Sequence, residues 1–129
     1  MIVDSSALMA IVNDEPGAER VVRAAAAAAC QMSVATRVEV SIVADARSAG
    51  HGERLDQIIE ALDIEVVPVS VRQGEVARAA YRRYGRGSGS SARLNFGDCF
   101  AYALSVVTAE PLLFVGDDFT HTDVSRALR

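Results

Sequence analysis

The sequence predicts a three-layer α/β/α domain, in which a short central parallel sheet lies between two layers of helices. Three observations predict this fold class. Short apolar runs alternate along the chain with longer segments of helical periodicity. The runs are apolar throughout, as is typical of parallel strands that are covered on both faces. The chain has 129 residues, the length of one domain with a real core, so we expect residues 1–129 to form a single domain.

Four apolar runs are the predicted strands: Met1–Val3, Met32–Ala35, Glu65–Val69 and Leu112–Val115. The proline in the third run suggests the end of a strand. Each run is short, and the segments between them are long enough for crossover helices. The strands are therefore expected to be parallel neighbours in one sheet.

Helical spacing and capping residues predict the segments between the strands. Two helices are expected after the first strand, beginning near Ser6 and spanning about Ala18 to Ala29. Thr36 can cap the next helix, and Gly50 and Gly52 are expected to end it. Further helical segments are predicted at Leu55–Leu62, at about Val71 to Tyr84, and from near Asp98 onward. The segment YGRGSGSSARLN, residues 84–95, is predicted to be a flexible loop because glycine and serine dominate it.

Composition excludes several classes of function. All 13 basic residues are arginine, which removes P-loop nucleotide binding and lysine Schiff-base chemistry. Cys30 and Cys99 are too few for a disulfide framework or a zinc site, and we expect both to be buried thiols. No apolar run approaches the roughly 20 residues of a membrane span. We therefore expect a cytoplasmic protein without a membrane partner.

Acidic residues follow or flank the predicted strands. Asp4 follows the first strand, Asp117 follows the fourth, Asp98 begins the helix before it, and Glu39 lies in the helix after the second strand. Ligands of open parallel sheets bind beyond the carboxyl ends of the strands, so these four acids are expected to converge at one edge. Clustered carboxylates select hard cations such as Mg²⁺ or Mn²⁺. The chemistry indicated is metal-assisted hydrolysis of a phosphodiester.

Each acid also has a structural interpretation. Asp4 can be a helix cap, although Ser5 or Ser6 can do this instead. Asp98 can complement a helix dipole, with Asn95 as the cap. Asp117 and its neighbour Asp118 can form a turn after the strand, and the sequence alone does not decide which of them faces a metal; we select Asp117.

A basic stretch leads into Asp98. Residues 77–96 contain five arginines and no acidic residue: Arg78, Arg82, Arg83, Arg86 and Arg93. Tyr81 and Tyr84 lie among them, as expected of a surface that pairs with phosphates and stacks on unpaired bases. The alternative is a solvated helix face, since arginine is favoured near helix C-termini. We favour RNA contact and select Arg82, Arg83 and Arg86.

The segments that carry the acids resemble a known family. MIVDSSAL, RVEVSIV, LNFGDCFAYALS and LLFVGDDFTHTDV look like the acidic motifs of PIN-domain ribonucleases, specifically the VapC-type toxins of toxin–antitoxin pairs. The resemblance covers essentially the whole chain. It implies a Mg²⁺- or Mn²⁺-dependent endoribonuclease that is neutralised by a cognate VapB-type antitoxin and forms a homodimer. It further implies that Asp4, Glu39, Asp98 and Asp117 are the acidic quartet, and that Ser6 assists the metal or substrate.

Three other functions compete with this interpretation. Haloacid-dehalogenase-like phosphatases and receiver domains also place an aspartate after the first strand, but both need a lysine, and the phosphatases need an aspartate where this chain has Ser6. A catalytically inactive PIN-like module that only binds RNA or protein is the remaining alternative. The acids at positions 4, 39 and 98 argue against such a degenerate site.

Overall fold

A computed structural model describes residues 1–128 of the chain. The strands are β1 Ile2–Val3, β2 Gln31–Ser33, β3 Glu65–Val67 and β4 Leu112–Leu113. The helices are α1 Ser5–Val12, α2 Ala18–Ala26, α3 Val34–Arg47, α4 Ala49–Ala61, α5 Val71–Tyr84 and α6 Asp98–Thr108. The strands form one parallel sheet in the order β3-β2-β1-β4. The predicted α/β fold with a short central parallel sheet is confirmed.

Two apolar cores lie on opposite faces of this sheet. Side chains alternate between the faces of a strand, so Val3 packs with the helices α1–α4 while its neighbour Ile2 packs with α5 and α6. Leu113 and Leu112 of β4 divide in the same way. Both faces of even a two-residue strand are therefore buried, which accounts for the continuous apolar runs and establishes the three layers.

The segment after β4 covers the outer edge of the sheet. The backbone N–H of Leu112 donates to the carbonyl of Ser125 at 2.8 Å, and the N–H of Ala127 donates to the carbonyl of Leu112 at 2.9 Å. An exposed strand edge presents unpaired backbone groups to other chains. These two hydrogen bonds satisfy that edge of β4.

The predicted boundaries at both ends of α3 are wrong. Ser33 caps α3, since its hydroxyl accepts from the N–H of Ala35 at 3.2 Å, whereas Thr36 is buried inside the helix. Gly50 lies in the first turn of α4, and the chain breaks earlier, at Ser48. Ser48 is extended, with φ −174° and ψ 163°, and its hydroxyl accepts from the N–H of His51 at 3.1 Å. A strong serine cap decides the boundary in both cases.

The predicted α5 is confirmed from Val71 to Tyr84, and both cysteines are buried free thiols, as expected. The loop predicted to be flexible is closed at its base. The N–H of Arg86 donates to the carbonyl of Leu94 at 3.1 Å, and the N–H of Leu94 donates to the carbonyl of Tyr84 at 2.9 Å. No helix within residues 1–128 has the length and apolar character needed to cross a bilayer.

Candidate active site

Asp4 is buried directly after β1, where it caps α1. Its Oδ2 accepts hydrogen bonds from the backbone N–H of Ser6 at 3.0 Å and from the Ser6 hydroxyl at 2.7 Å. The Ser6 oxygen in turn accepts from the N–H of Val115, just beyond β4, at 3.0 Å. Asp4 can therefore be both a helix cap and a site residue. The same serine orients its carboxylate and connects the carboxyl ends of β1 and β4.

Glu39 lies in α3 and is partly buried. The Ser5 hydroxyl donates to its Oε1 at 3.2 Å. Its carboxylate also lies directly against the backbone of Gly97, where a Cβ atom would overlap the carboxylate oxygens. A glycine is required at position 97 for this close approach, which brings the Glu39 carboxylate to the start of α6.

Asp98 is buried in the first turn of α6 and forms a reciprocal pair with Asn95. The N–H of Asn95 donates to Asp98 Oδ2 at 2.9 Å, and the N–H of Asp98 donates to Asn95 Oδ1 at 2.8 Å. The arrangement is that of a capping box, in which two side chains three residues apart satisfy each other's backbone donors. It holds the Asp98 carboxylate in one orientation.

Burial raises the pKa of all three carboxyls above their ordinary range. For Asp4, burial outweighs the hydrogen bonds from Ser6, and the charge of Glu39 raises the pKa further. Burial also raises the pKa of Glu39, against the hydrogen bond from Ser5, and the charge of Asp98 adds to the rise. Burial, with the charges of Asp4 and Asp118, raises the pKa of Asp98 to about 6. The three acids are therefore close enough to repel one another.

A cleft of about 360 Å³ brings acidic and basic residues together beside Asp98. Its lining includes Asp117, Asp118 and His121 from the turn after β4, and Arg86 and Arg93 from the two ends of the 86–93 loop. The charge of Asp118 raises the pKa of Asp98, whereas that of Arg86 lowers it. The predicted residues Asp117 and Arg86 thus line one cleft.

The other predicted arginines lie on α5, outside this cleft lining. Arg82 is exposed. Arg83 lies over the ring of Tyr84, 4.8 Å from its centroid, and is 3.5 Å from the carboxylate of Asp123. The expected role of Tyr84 in base stacking is wrong, because its ring is buried and packs edge-on against Tyr102. Tyr81 remains exposed.

The chemistry of the acidic residues fits a hard divalent cation. Carboxylate oxygens are the donors that Mg²⁺ and Mn²⁺ prefer. Burial, and to a lesser extent the charges of neighbouring acids, raises the pKa values of Asp4, Glu39 and Asp98, and a bound cation would favour their ionised forms. Within residues 1–128, no three Asp, Glu, His or Cys side chains are gathered closely enough to enclose an ion. Hydrogen bonds to Ser5, Ser6 and Asn95 orient these carboxylates instead.

Three contributors to the site are absent from the residues predicted from the sequence. Ser5 and Asn95 are predicted only as helix caps, and Gly97 carries no prediction. The signal for Gly97 and Asn95 was their position immediately before Asp98, in NFGD. The contact between Ser5 and Glu39 joins residues 34 positions apart and has no local signal.

Comparisons with known proteins identify the family of the chain. The family model described as PIN domain matches residues 1–125. Ribonuclease VapC28 of Mycobacterium tuberculosis is 48% identical over 130 residues, covering 99% of this chain and 98% of the relative. Ribonuclease VapC42 of the same species is 47% identical over 129 residues, with 98% of both chains covered.

A solved structure described as a toxin-antitoxin complex from Klebsiella pneumoniae has the same fold, with a TM-score of 0.68 at 17% identity, covering 95% of this chain and 92% of that one. The chain belongs to the PIN-domain family. Within that family, its identity to the curated VapC ribonucleases makes it a protein of the VapC type.

Proposed function

We propose that this protein is an endoribonuclease toxin that depends on Mg²⁺ or Mn²⁺ and hydrolyses RNA phosphodiester bonds. The observation that carries the proposal is the group of repelling carboxylates of Asp4, Glu39 and Asp98 at the carboxyl edge of the sheet. Relatives with 44–48% identity over nearly the whole chain are named ribonucleases. An inactive binding module has no use for two buried acids and one partly buried acid whose charges oppose one another.

The residues that would hold the cation are Asp4, Glu39 and Asp98, with Asp117 or Asp118 as the fourth acid. The chemistry that such a cation supplies when bound is polarisation of the phosphodiester and stabilisation of the departing oxygen. Ser6 orients Asp4, Ser5 orients Glu39, and Asn95 orients Asp98. Arg86, whose charge reaches Asp98, is suited to bind a substrate phosphate, while Arg82 and Arg83 extend the basic surface along α5.

Cleavage of total cellular RNA tests the activity. The purified protein, free of antitoxin, is incubated with Mg²⁺ or Mn²⁺ and with EDTA, beside Asp98→Asn as an isosteric control. We expect discrete fragments that depend on the metal and are absent with the variant. If the folded protein cleaves no class of RNA with either metal, the chain is the inactive binding module instead.

The fourth acid is tested by a pair of variants. The sequence favours Asp117, whereas the interaction between the charges of Asp118 and Asp98 favours Asp118. The two acids are adjacent in the same cleft, so Asp117→Asn and Asp118→Asn are matched controls for each other. The variant with the larger loss of cleavage, and the larger rise in the Mg²⁺ concentration needed for half-maximal rate, identifies the ligand.

A cognate VapB-type antitoxin is the proposed protein partner. A groove of about 540 Å³ lies on the early helices, and its lining includes Ile11 of α1, Val22 of α2 and Arg54 of α4. An apolar antitoxin helix fits such a groove, and a basic antitoxin side chain would neutralise the carboxylates. Val22 is 37% exposed, so Val22→Asp should weaken antitoxin binding without changing RNA cleavage. Unchanged binding would exclude the groove.

We also propose that the protein is a cytoplasmic homodimer. Helix α3 presents Val34, Val38 and Ile42 to solvent, with 41%, 54% and 64% of each residue exposed. Their spacing of four residues places them on one side of the helix. A contiguous apolar stripe of this kind is typical of an interface between protein chains.

A further inference from the structure

A further pocket lies between α5 and α6 and is almost entirely apolar. Its volume is about 300 Å³, and its lining includes Gly74, Ala77, Tyr81, Phe96, Cys99 and Phe100. Phe96 and Phe100 meet edge to face, with ring centroids 5.0 Å apart. The small residues of α5 leave room beside these rings. We propose that this pocket holds an unpaired nucleobase of the RNA substrate, next to the phosphodiester that is cleaved; the proposal rests on the ribonuclease function above.

The exposure of the aromatic side chains is the first argument. Phe96 is 76% exposed and Tyr81 is 43% exposed, so much of each ring is free to contact a ligand at the mouth of the pocket. An aromatic ring at the mouth of an apolar pocket offers a stacking surface for a base. Base stacking of this kind accepts any of the four bases, because each has a π-face.

The position of the pocket is the second argument. Phe96 precedes Asp98 by two residues, so their Cα atoms lie within about 7 Å of each other. Both neighbours of Phe96 in the sequence belong to the acidic site. The N–H of Asn95 donates to the Asp98 carboxylate, and Gly97 contacts Glu39. A base beside Phe96 therefore belongs to a nucleotide close to the scissile bond.

Charge favours RNA over a second copy of the chain as the occupant. Arg78 lines the same pocket, and residues 77–96 carry five arginines without an acidic residue. A polyanion complements this surface. A second copy of the chain seated symmetrically on the pocket would bring Arg78 and its neighbours against identical charges. Single-stranded RNA combines the backbone charge and the unstacked bases that this surface can bind.

Fluorescence at position 96 tests the proposal directly. The chain contains no tryptophan, so Phe96→Trp introduces a single indole at the mouth of the pocket. In an Asp98→Asn background with Mg²⁺, the probes are a mixed-sequence single-stranded oligoribonucleotide and an abasic oligomer of the same length, each carrying an end label for anisotropy. Val106→Trp in the same background is the matched control, since Val106 is 45% exposed farther along the same helix.

We expect the oligoribonucleotide to quench the indole at position 96, the abasic oligomer to quench it much less, and the indole at position 106 not to respond. Equal responses to both oligomers, or RNA binding by anisotropy without quenching at position 96, would overturn the pocket and leave the ribonuclease function intact. Quenching at position 96 that grows with protein concentration without RNA would assign the pocket to a second copy and also overturn it. No RNA binding and no cleavage by the parent would remove the proposed function and this inference together.

Cleavage kinetics supply an independent readout. Phe96→Ala should lower kcat/KM for single-stranded RNA by roughly 5- to 150-fold, the usual range for loss of one stacking partner. Phe96→Tyr retains a stacking ring, so its kcat/KM should stay close to that of the parent. Because Phe96 is largely exposed, neither change should alter the fold, which thermal unfolding checks. Equal activity of the two variants and the parent would contradict the stacking role.

Discussion

Opposing interactions act on the Asp98 carboxylate, and their balance affects the free energy of unfolding. The hydrogen bond from the N–H of Asn95 stabilises the ionised carboxylate, whereas burial and the charges of Asp4 and Asp118 oppose it. Burial and the two negative charges outweigh the hydrogen bond, so the pKa of Asp98 is about 6 in the folded chain, against an ordinary value of 3.8. Without a cation, the ionised carboxylate therefore destabilises the fold.

Asp98→Asn is expected to stabilise the protein in EDTA at pH 8. The raised pKa means that the favourable contribution of Asp98 is complete below about pH 4 and is lost as the pH rises through about 6. The amide keeps an oxygen that can accept from Asn95 and carries no charge. We expect an increase of about 1 to 2 kcal/mol in the free energy of unfolding at pH 8, discounted for partial solvation of the group, and none at pH 4.

Chemical denaturation at both pH values measures this difference, with Asp63→Asn as the control. Asp63 is an exposed acid in a turn, so its replacement should change little. Addition of Mg²⁺ should stabilise the parent more than the Asp98 variant, because a ligand that binds only the folded state adds its binding free energy. An equal gain from Asp98→Asn at pH 4 and pH 8 would contradict the electrostatic explanation.

At the scale of the elements, strands and acids were more predictable than helix ends. The placement of Asp4 after β1 followed from an apolar run and the topology of parallel sheets. The start of α3 did not, because Ser33 and Thr36 are both good capping residues, and the end of β2 makes Ser33 the cap. The contact of Ser6 with Val115 spans 109 positions, and only the assembled sheet creates it.

Gly97→Ala is expected to damage the site through the packing of two helices. A methyl group at position 97 would overlap the Glu39 carboxylate, so the carboxylate at this point of α3 must move away from the start of α6. We expect a fall in cleavage of at least tenfold, since displacing a catalytic group by about 1 Å can cost on the order of 10²-fold. The Mg²⁺ requirement should rise at the same time.

Gly50→Ala is the matched control for this prediction. Its added methyl group would meet only the Ser48 hydroxyl at an ordinary 3.7 Å. In the first turn of α4 the change should be neutral or slightly stabilising. Cleavage assays and thermal unfolding of both variants separate damage at the site from loss of fold. Full activity of Gly97→Ala would mean that the Glu39 carboxylate can be displaced without cost.

At the scale of the whole molecule, the order of the strands decides which residues lie at the acidic edge of the sheet and which face solvent. The order β3-β2-β1-β4 brings the carboxyl ends of β1, β2 and β4 together, so the charges of Asp4, Glu39 and Asp98 interact although these residues are distributed along the sequence. The helix α3 contributes to this edge through Glu39 and presents a different, apolar side to solvent. Sequence periodicity did not reveal that side. Of the apolar residues around Glu39, Val40 is buried, whereas Val38, Ile42 and Val43 are exposed.

The exposed stripe of α3 predicts the oligomeric state and its sensitivity to charge. Val38→Asp places a carboxylate in the middle of the stripe, and burying it in an interface without a partner costs several kcal/mol in practice. We expect the parent to have the mass of a dimer by light scattering and Val38→Asp to have that of a monomer. Val106→Asp changes an exposed valine on the opposite side of the sheet and should leave the dimer intact. A monomeric parent, or a dimer that persists in Val38→Asp, would mean that this stripe does not join two copies of the chain.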